Sequence, residues 1–461
     1  MPIIFKRIRF LTNPHEVLFQ FDRFLLKMVG GVQIFSLLSV NPKILHLLMD
    51  IFNSARSLGD YLSNNTSILE YVLNRDFYFA LPKKSYLKVE LEKKIKGSSN
   101  YEDVLNVTRS WAKENQFRTS IHLLKGFSST EDISKSFSNI AEVCLVCLFP
   151  KVLEHFAIRY GSIVGMGSTI ISMGKLGSQE MSFSSDLDLI LIYDIKDGAY
   201  SNGKVKLPAK LYFSRFTQAL ISALTVPTAE GNLFNVDMRL RPSGQKGPVA
   251  TSIKSFEAYQ KNDAWVWETL ALSRGRVIAG NAELRKKLKI IIQEILKKES
   301  IHKQVVKQVE KMRTSLSLKN SNSKNFLGVK DGPGNLMDLE LLIQMGCLLT
   351  RRFDYQSPYK MLKILKQVGF FTVDDIKELI TLQSCPICRK FRTFEEAKFN
   401  ERYINFKYQF IDLIKYYSKN LNYGNTKDYN CLNCNDNIIQ KSNKVIPQCN
   451  KCNLFNMMEI P

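Results

Sequence analysis

One stretch of the sequence decides the fold: Gly174-Lys175-Leu176-Gly177-Ser178-Gln179-Glu180-Met181-Ser182-Phe183-Ser184-Ser185-Asp186-Leu187-Asp188-Leu189-Ile190. It places a Gly-Ser pair eight residues before an Asp-x-Asp pair that enters an apolar strand. Residues two apart on a strand point to the same face, so Asp186 and Asp188 are predicted to present their carboxylates together. Because adjacent carboxylates repel each other and a hard cation relieves that repulsion, we expect these aspartates to bind Mg²⁺.

The glycine and serine ahead of the aspartates are suited to binding phosphate. Gly177 leaves room for the chain to approach a triphosphate closely. Ser178 offers a hydroxyl and a backbone N–H to the phosphate oxygens. We therefore predict that this turn binds the triphosphate of a nucleotide.

A third carboxylate, Asp237, is predicted on a later strand that runs from Leu233 to Leu240. On this strand Asp237, Arg239 and Arg241 alternate with apolar residues, so the two arginines are expected within reach of the polyphosphate. The predicted nucleotide-binding residues are Lys175, Gly177, Ser178, Ser185, Arg239 and Arg241.

Three carboxylates that hold two metal ions suit an in-line displacement at phosphorus. One ion activates the attacking hydroxyl and the other holds the leaving pyrophosphate. A tyrosine hydroxyl would gain most, because its free pKa is about 10 and a metal ion holds it as phenolate near neutral pH. An Asp-x-Asp pair alone is typical of many solvated surfaces, but its combination with the turn and a third aspartate favours a catalytic site.

Composition restricts the class of protein. The chain has 461 residues, of which 45% are hydrophobic, so we expect two or three globular domains. Its start lacks the apolar stretch of a signal peptide and no long apolar run follows, which predicts a cytoplasmic protein without a membrane partner. The net charge of +22 is spread along the chain without an RNA-binding signature, so we expect ATP rather than nucleic acid as the acidic ligand.

The hydrophobic pattern changes along the chain. Early residues show helical periodicity, whereas Thr169–Met173 and Asp188–Tyr193 are short apolar runs that predict buried strands. Helical periodicity then returns and gives way to a tail rich in Asn, Lys and Cys. The predicted division is a helical segment at 1–165, a catalytic domain at 166–280, a shortened helical domain at 281–395 and the tail at 396–461.

Several stretches resemble the glutamine synthetase adenylyltransferase family, within the nucleotidyltransferase superfamily that includes DNA polymerase β. They are Met173–Gly177, Ser184–Ile190, Val236–Gly244 and Lys330–Glu340. The resemblance covers residues 15–383 and implies an α+β nucleotidyltransferase core with a polymerase-β-like mixed sheet, flanked by N- and C-terminal helical domains. Enzymes of this family have one half that removes AMP and one that adds it, and Phe256–Glu268 resembles the adding half.

The resemblance also implies a reaction and its residues. Asp186, Asp188 and Asp237 would hold Mg²⁺, and Gly177 with Ser178 would form the phosphate turn. AMP would pass from ATP to a tyrosine of glutamine synthetase, with release of pyrophosphate and down-regulation of ammonia assimilation. Glutamine synthetase is thus the expected partner, with the PII signal protein as a further one, and the AMP-removing half is expected to be absent.

Three features depart from the family or have no assigned role. Asn335 stands where a glycine is expected, although Asn tolerates positive φ. Trp265 and Trp267 are predicted to pack the helix beneath the site, with ATP stacking as the alternative. In the tail, Cys385 and Cys388 form one CxxC pair, and two further pairs have near zinc-ribbon spacing. A structural zinc site and an irregular tail without metal both remain open for Cys431, Cys434, Cys449 and Cys452.

Two other functional classes also remain open. Another enzyme of the superfamily, such as a protein uridylyltransferase or an RNA-tailing polymerase, would use a different nucleotide or acceptor. A catalytically silent regulator would bind its partner through the helices and transfer nothing. The presence of all three carboxylates favours the adenylyltransferase.

Overall fold

The computed structural model describes the greater part of the chain. The described residues are 13–27, 31–54, 56–64, 75–298, 304–313, 336–353 and 357–370, with single residues 8, 11, 68 and 72 and three short strands near the C-terminus. Cys434, Cys449 and Cys452 lie outside them, as do Cys385, Cys388 and residues 330–335 of the resembling stretch that includes Asn335. Cys431 ends the short strand Lys427–Cys431, about whose side chains nothing is described.

Within the described residues, one mixed sheet has the strand order β3-β2-β1-β5, and β4 also pairs with β2. The strands are β1 (Gly165–Ser172), β2 (Leu187–Ile195), β3 (Val236–Asp237), β4 (Ala250–Ser252) and β5 (Arg276–Gly280). β1 runs antiparallel to both β2 and β5, whereas β3 and β4 run parallel to β2. The two strands predicted from apolar runs are confirmed, and the mixed sheet agrees with the predicted α+β core.

The two faces of the sheet carry separate hydrophobic cores. Successive residues of a strand point to opposite faces, so Ile190 and Ile192 join one core while Leu189 and Leu191 join the other. The first core is covered by helices that follow β4: α10 (Ile253–Asn262), α11 (Val266–Leu272), α12 (Ala282–Leu296), α13 (Leu336–Thr350) and α14 (Pro358–Gln367). Both faces of β2 are therefore dry, which explains its continuous apolar run.

The opposite core is covered by helices from the first part of the chain. They are α5 (Lys84–Lys96), α6 (Tyr101–Lys125) and α7 (Thr130–Tyr160), together with α9 (Ala209–Thr225). Ser129 begins α7, because its hydroxyl accepts a hydrogen bond from the Asp132 N–H at 3.1 Å. This long helix brings Glu142, which is only 4% exposed, to the sheet.

A third core lies among the first helices of the chain. These helices are α1 (Pro14–Lys27), α2 (Gly31–Val40), α3 (Pro42–Ser54) and α4 (Arg56–Asn64). Phe117 and Ile121 of α6 also belong to this core, so α6 connects it to the helices on the sheet. The division of the chain into four domains stays a prediction.

The third predicted strand is wrong over most of its length. Only Val236 and Asp237 form β3, whereas Leu233 to Leu240 were expected. The strand ends because the Asp237 carboxylate accepts a hydrogen bond from the Arg239 N–H at 2.7 Å, which turns the backbone. In the described parts of the chain, no helix has the length and apolar character needed to span a bilayer.

Candidate active site

The Gly-Ser stretch forms a compact turn between β1 and β2. Its short helix α8 (Gly174–Gly177) begins after Met173, whose backbone N–H donates to Asp188 O at 2.8 Å. Ser178 is fully buried, and both its N–H and its hydroxyl donate to Gly174 O, at 3.1 and 3.2 Å. The donors expected to bind phosphate thus close the turn itself in this structure. Phosphate binding by Ser178 stays a prediction.

Asp188 packs directly against this turn. A Cβ atom added at Gly174 would collide with the Asp188 carboxylate, and the φ of Gly174 is +53°, a conformation that L side chains rarely adopt. Gly177 is equally confined, since its Cβ would collide with the backbone oxygen of Arg274. The two glycines therefore allow the turn to lie close to Asp188 on one side and to the segment before β5 on the other.

Two of the three predicted carboxylates lie side by side at one end of the sheet, and the third lies nearby. Asp188 of β2 lies opposite Asp237 of β3 in the parallel register, and Asp186 is exposed just before β2. Burial raises the pKa of the Asp188 carboxyl, and the negative charges of Asp237 and Asp186 raise it further, against the opposing effect of Arg274. The negative charge at Asp188 is thus incompletely neutralised by the protein.

Asp237 has the opposite electrostatic behaviour. Arg239 donates to it from its backbone N–H and from Nε, both at 2.7 Å, and its Nη2 lies 2.5 Å from the carboxylate. This hydrogen bonding holds the pKa of Asp237 below its ordinary value. Arg239 itself is largely exposed, with 70% of its side chain accessible. It therefore acts as the local counter-ion and can also face a ligand.

The donor set fits a hard cation such as Mg²⁺. Carboxylate oxygens are the ligands that such ions prefer, and the pKa of Asp188 is raised by burial and then by the neighbouring carboxylates, whose repulsion a cation relieves. No set of three or more acidic, histidine or cysteine side chains in the described part of the chain is already grouped around a metal position. Arg239 occupies the Asp237 oxygens, so a cation would share that carboxylate with an arginine.

The remaining predicted nucleotide-binding residues lie in different environments. Lys175 is exposed on the turn, whereas the Ser185 hydroxyl accepts a hydrogen bond from the Ser182 N–H at 2.9 Å. Arg241 is only 8% exposed and donates to the backbone oxygens of Met238, Gln245 and Gly247, at 2.8, 3.3 and 3.2 Å. The Arg241 guanidinium therefore holds the loop after β3.

A half-buried arginine that was not predicted from the sequence holds the Gly174–Ser178 turn. Arg276 of β5 donates from Nε to Gly177 O at 2.7 Å and from Nη2 to Leu176 O at 2.9 Å. Its Nη1 donates to Glu142 of α7 at 2.9 Å, and Lys84 also pairs with that glutamate. A bidentate fork of this kind fixes geometry as well as charge. The helices before the sheet are thereby connected to the turn.

Arg274 was also not predicted, although it approaches the carboxylates. It lowers the pKa of Asp188 by its charge, and its Nη1 donates to Glu340 of α13 at 2.9 Å. The one signal in the sequence is the Arg274-Gly275-Arg276 segment at the start of an apolar strand.

The prediction that the two tryptophans pack beneath the site is wrong. Trp265 is 67% exposed and Trp267 is 43% exposed. Glu268 explains the arrangement, because its carboxylate accepts hydrogen bonds from the Trp265 N–H at 2.8 Å and from the Tyr259 hydroxyl at 3.0 Å. This fixes the start of α11 with both indole rings toward solvent.

The fold and the site together define a class of protein. A mixed sheet with helices on both faces, a short glycine turn and carboxylates on adjacent strand ends fit a nucleotidyltransferase-like α+β core. The sequence profile of the glutamate-ammonia ligase adenylyltransferase family matches residues 45–290. The chain therefore belongs to this family.

Similar proteins carry the name bifunctional glutamine synthetase adenylyltransferase/adenylyl-removing enzyme. The one from Brucella melitensis is 35% identical over 374 residues, which are 81% of this chain and 38% of the relative. The one from Rhizobium meliloti is 38% identical over 358 residues, 77% of this chain and 36% of the relative. The one from Agrobacterium fabrum is 38% identical over 335 residues, which are 72% of this chain and 34% of the relative. The chain thus spans less than two fifths of the length of these relatives.

Replacement of Gly174 by alanine should weaken cation binding. The new Cβ would displace the Asp188 carboxylate, so we expect the affinity for Mn²⁺, measured by electron paramagnetic resonance, to fall about tenfold or more. Gly198→Ala is the matched control, because Gly198 has a φ of +78° but no atom within 4 Å of its added Cβ. Equal Mn²⁺ affinity in the two folded variants would contradict this role for the Gly174–Asp188 contact.

Replacement of Arg276 by lysine should misplace the phosphate turn with little loss of fold. Lysine keeps the charge opposite Glu142 but loses the planar fork on Gly177 O and Leu176 O. We expect ATP affinity in calorimetry to fall about tenfold, while the thermal midpoint stays within a few degrees. Arg215→Lys, at an exposed position on α9, is the control. Unchanged ATP affinity in Arg276→Lys would contradict the positioning role.

Proposed function

We propose that this chain transfers AMP from ATP to a tyrosine of glutamine synthetase, releases pyrophosphate and so lowers ammonia assimilation. The observation that carries the proposal is the pairing of Asp188 with Asp237 beside the glycine turn, where the pKa of Asp188 is raised by burial and by neighbouring carboxylates. Family membership supports the same reaction, since the relatives are named for adenylyltransfer to glutamine synthetase.

In this proposal Asp186, Asp188 and Asp237 hold Mg²⁺. When bound, the cation supplies positive charge to the phosphate oxygens and favours the deprotonated form of an attacking hydroxyl. The protein contributes the placement of the carboxylates: β2 and β3 fix Asp188 opposite Asp237, and Gly174 lets the turn close against Asp188. Catalysis of this kind depends on positioning and electrostatics more than on covalent participation.

The nucleotide would be bound by exposed cations around the turn. Lys175 on α8 and Arg239 after β3 both reach solvent near the carboxylates, and each can attract a polyphosphate. In the proposal, the turn at Gly177 and Ser178 lies against the phosphates of the bound nucleotide. Ser185 fixes the segment before Asp186, because its hydroxyl accepts a hydrogen bond from the Ser182 N–H. We assign Arg241 to holding the loop after β3, from where its charge still lowers the pKa of Asp237.

We propose that this core corresponds to the half that adds AMP, and that residues 1–165 and 281–395 form helical domains on either side of it. The resemblance of Phe256–Glu268 to the adding half supports the assignment. Glutamine synthetase is the proposed partner, PII a further one, and the cytoplasm the proposed location.

The transfer assay uses purified chain, glutamine synthetase, Mg²⁺ and ATP labelled at the α-phosphate. We expect label on a tyrosine of the synthetase, no label with UTP in place of ATP, and none on an RNA end. Asp186→Asn, Asp188→Asn should lower the rate at least about a hundredfold, because the transition-state charge loses its metal site. Asp197→Asn, at a side chain that is 90% exposed beyond β2, should retain the rate.

Each alternative predicts a different result in this assay. Label from UTP or on RNA would indicate another enzyme of the superfamily. A folded chain that binds the synthetase but transfers no label, whether Mg²⁺ is present or removed by a chelator, would indicate a silent regulator. That result would contradict the proposal.

The chain should not remove AMP. Incubation of AMP-modified glutamine synthetase with phosphate should release no ADP, because removal belongs to the other half of the bifunctional relatives in this proposal. A full-length bifunctional relative serves as the positive control. ADP release that this chain catalyses would refute the assignment to the adding half.

A further inference from the structure

A cavity of about 900 Å³ lies beside the far edge of the sheet from Asp237. It is bounded by α7, by the edge strand β5, by α12 and by the start of α5. Within the described residues β5 pairs with β1 on one side, so its other edge faces this space. One strand, β1, lies between β5 and β2, which carries Asp188, so the cavity is distinct from the carboxylate site.

The lining of the cavity is strongly basic. Five basic side chains and one carboxylate contribute to it: Lys84, Lys88, Arg276, Arg285, Lys289 and Glu142. The carboxylate is already shared between Lys84 and Arg276. The positive charges of the lining therefore outnumber its one negative charge, and the excess would attract an anion.

One of these cations presents a buried donor with no acceptor. Arg285 Nε has lost its contact with solvent, yet no acceptor among the described residues binds it. A buried N–H without an acceptor is costly, and such groups usually find a partner in water or a ligand. Lys289 lies one helical turn further along α12 and also lines the cavity, so both cations can meet one anionic group.

Much of the remaining lining is apolar, beside the polar residues Ser168, Ser273, Asn281 and Gln293. Phe149 and Leu153 come from α7, Ile278 from β5, and Ile292 from α12. A cavity of this size, with an apolar lining and a few convergent charged groups, is typical of sites for small organic ligands. An inorganic ion would leave the apolar part of the lining without contact.

We propose that this cavity binds a small organic anion, with a phosphate, sulfonate or carboxylate group on Arg285 and Lys289 and an apolar body against Phe149, Leu153 and Ile292. Arg276 lies in the cavity wall and also holds Gly177 O and Leu176 O. A ligand bound here is therefore separated from the phosphate turn by one side chain.

The probe is anilinonaphthalenesulfonate, an aromatic anion of this class. We expect saturable fluorescence enhancement and a rise in the thermal midpoint measured by circular dichroism, because a ligand that binds the native state stabilises it. Arg285→Ser, Lys289→Ser should weaken binding about tenfold or more. Met166→Glu, which places a carboxylate at a 40% exposed lining position, should do the same.

The control is Lys286→Ser, Lys297→Ser, which removes one exposed charge from α12 and one from the residue that follows it, both outside the cavity lining. It should leave binding unchanged. Displacement of the probe by phenyl phosphate or by benzoate would support the proposal and identify the head group. Equal binding by the cavity variants and the control, a lowered thermal midpoint, or displacement by neither compound would overturn it. These readouts measure binding alone, so they are independent of the AMP-transfer assay.

Discussion

The parallel pairing of β2 with β3 is the constraint on which the site depends. It places Asp188 opposite Asp237, and the turn then closes over Asp188 because Gly174 has no Cβ. Burial, and then the charges of Asp237 and Asp186, raise the pKa of Asp188, so the ionised site carries an electrostatic cost. The hydrophobic cores on both faces of β2 provide stability that offsets this cost. Both consist of apolar side chains, so their packing does not depend on the ionisation of the carboxylates.

Arg276 extends this constraint to the helices before the sheet. Its guanidinium binds the backbone of the turn and the buried carboxylate of Glu142, which is 5% exposed at its side chain. Removal of Arg276 would leave the buried Glu142 carboxylate with Lys84 as its partner, and removal of Glu142 would leave the Arg276 charge facing only backbone oxygens, so either change is costly. The position of α7 and the geometry of the turn are thus linked. A catalytic core built only from residues 166–280 would lack the acceptor that orients Arg276.

The sequence predicted those features that depend on local patterns. The strands β1 and β2 follow from their apolar runs, and Asp188 and Asp237 are paired as neighbouring strand residues, whereas the metal-binding role of the three aspartates stays a prediction. Alternation failed after Asp237, because one side-chain hydrogen bond to the Arg239 N–H outweighs the strand pattern of the following residues. The Arg276–Glu142 pair joins positions 134 residues apart, and no local pattern reports such a pair.

Arg239 gives Asp237 and Asp188 different electrostatic environments. Its side chain is 70% accessible to solvent, and it forms an ion pair with the Asp237 carboxylate. Within the described part of the chain, no arginine or lysine lies at hydrogen-bonding distance from the Asp188 carboxylate, which depends on the more distant charge of Arg274. The two aspartates therefore differ in what a cation gives them. In the proposed reaction a cation would supply missing charge at Asp188, whereas at Asp237 it would share the carboxylate with Arg239.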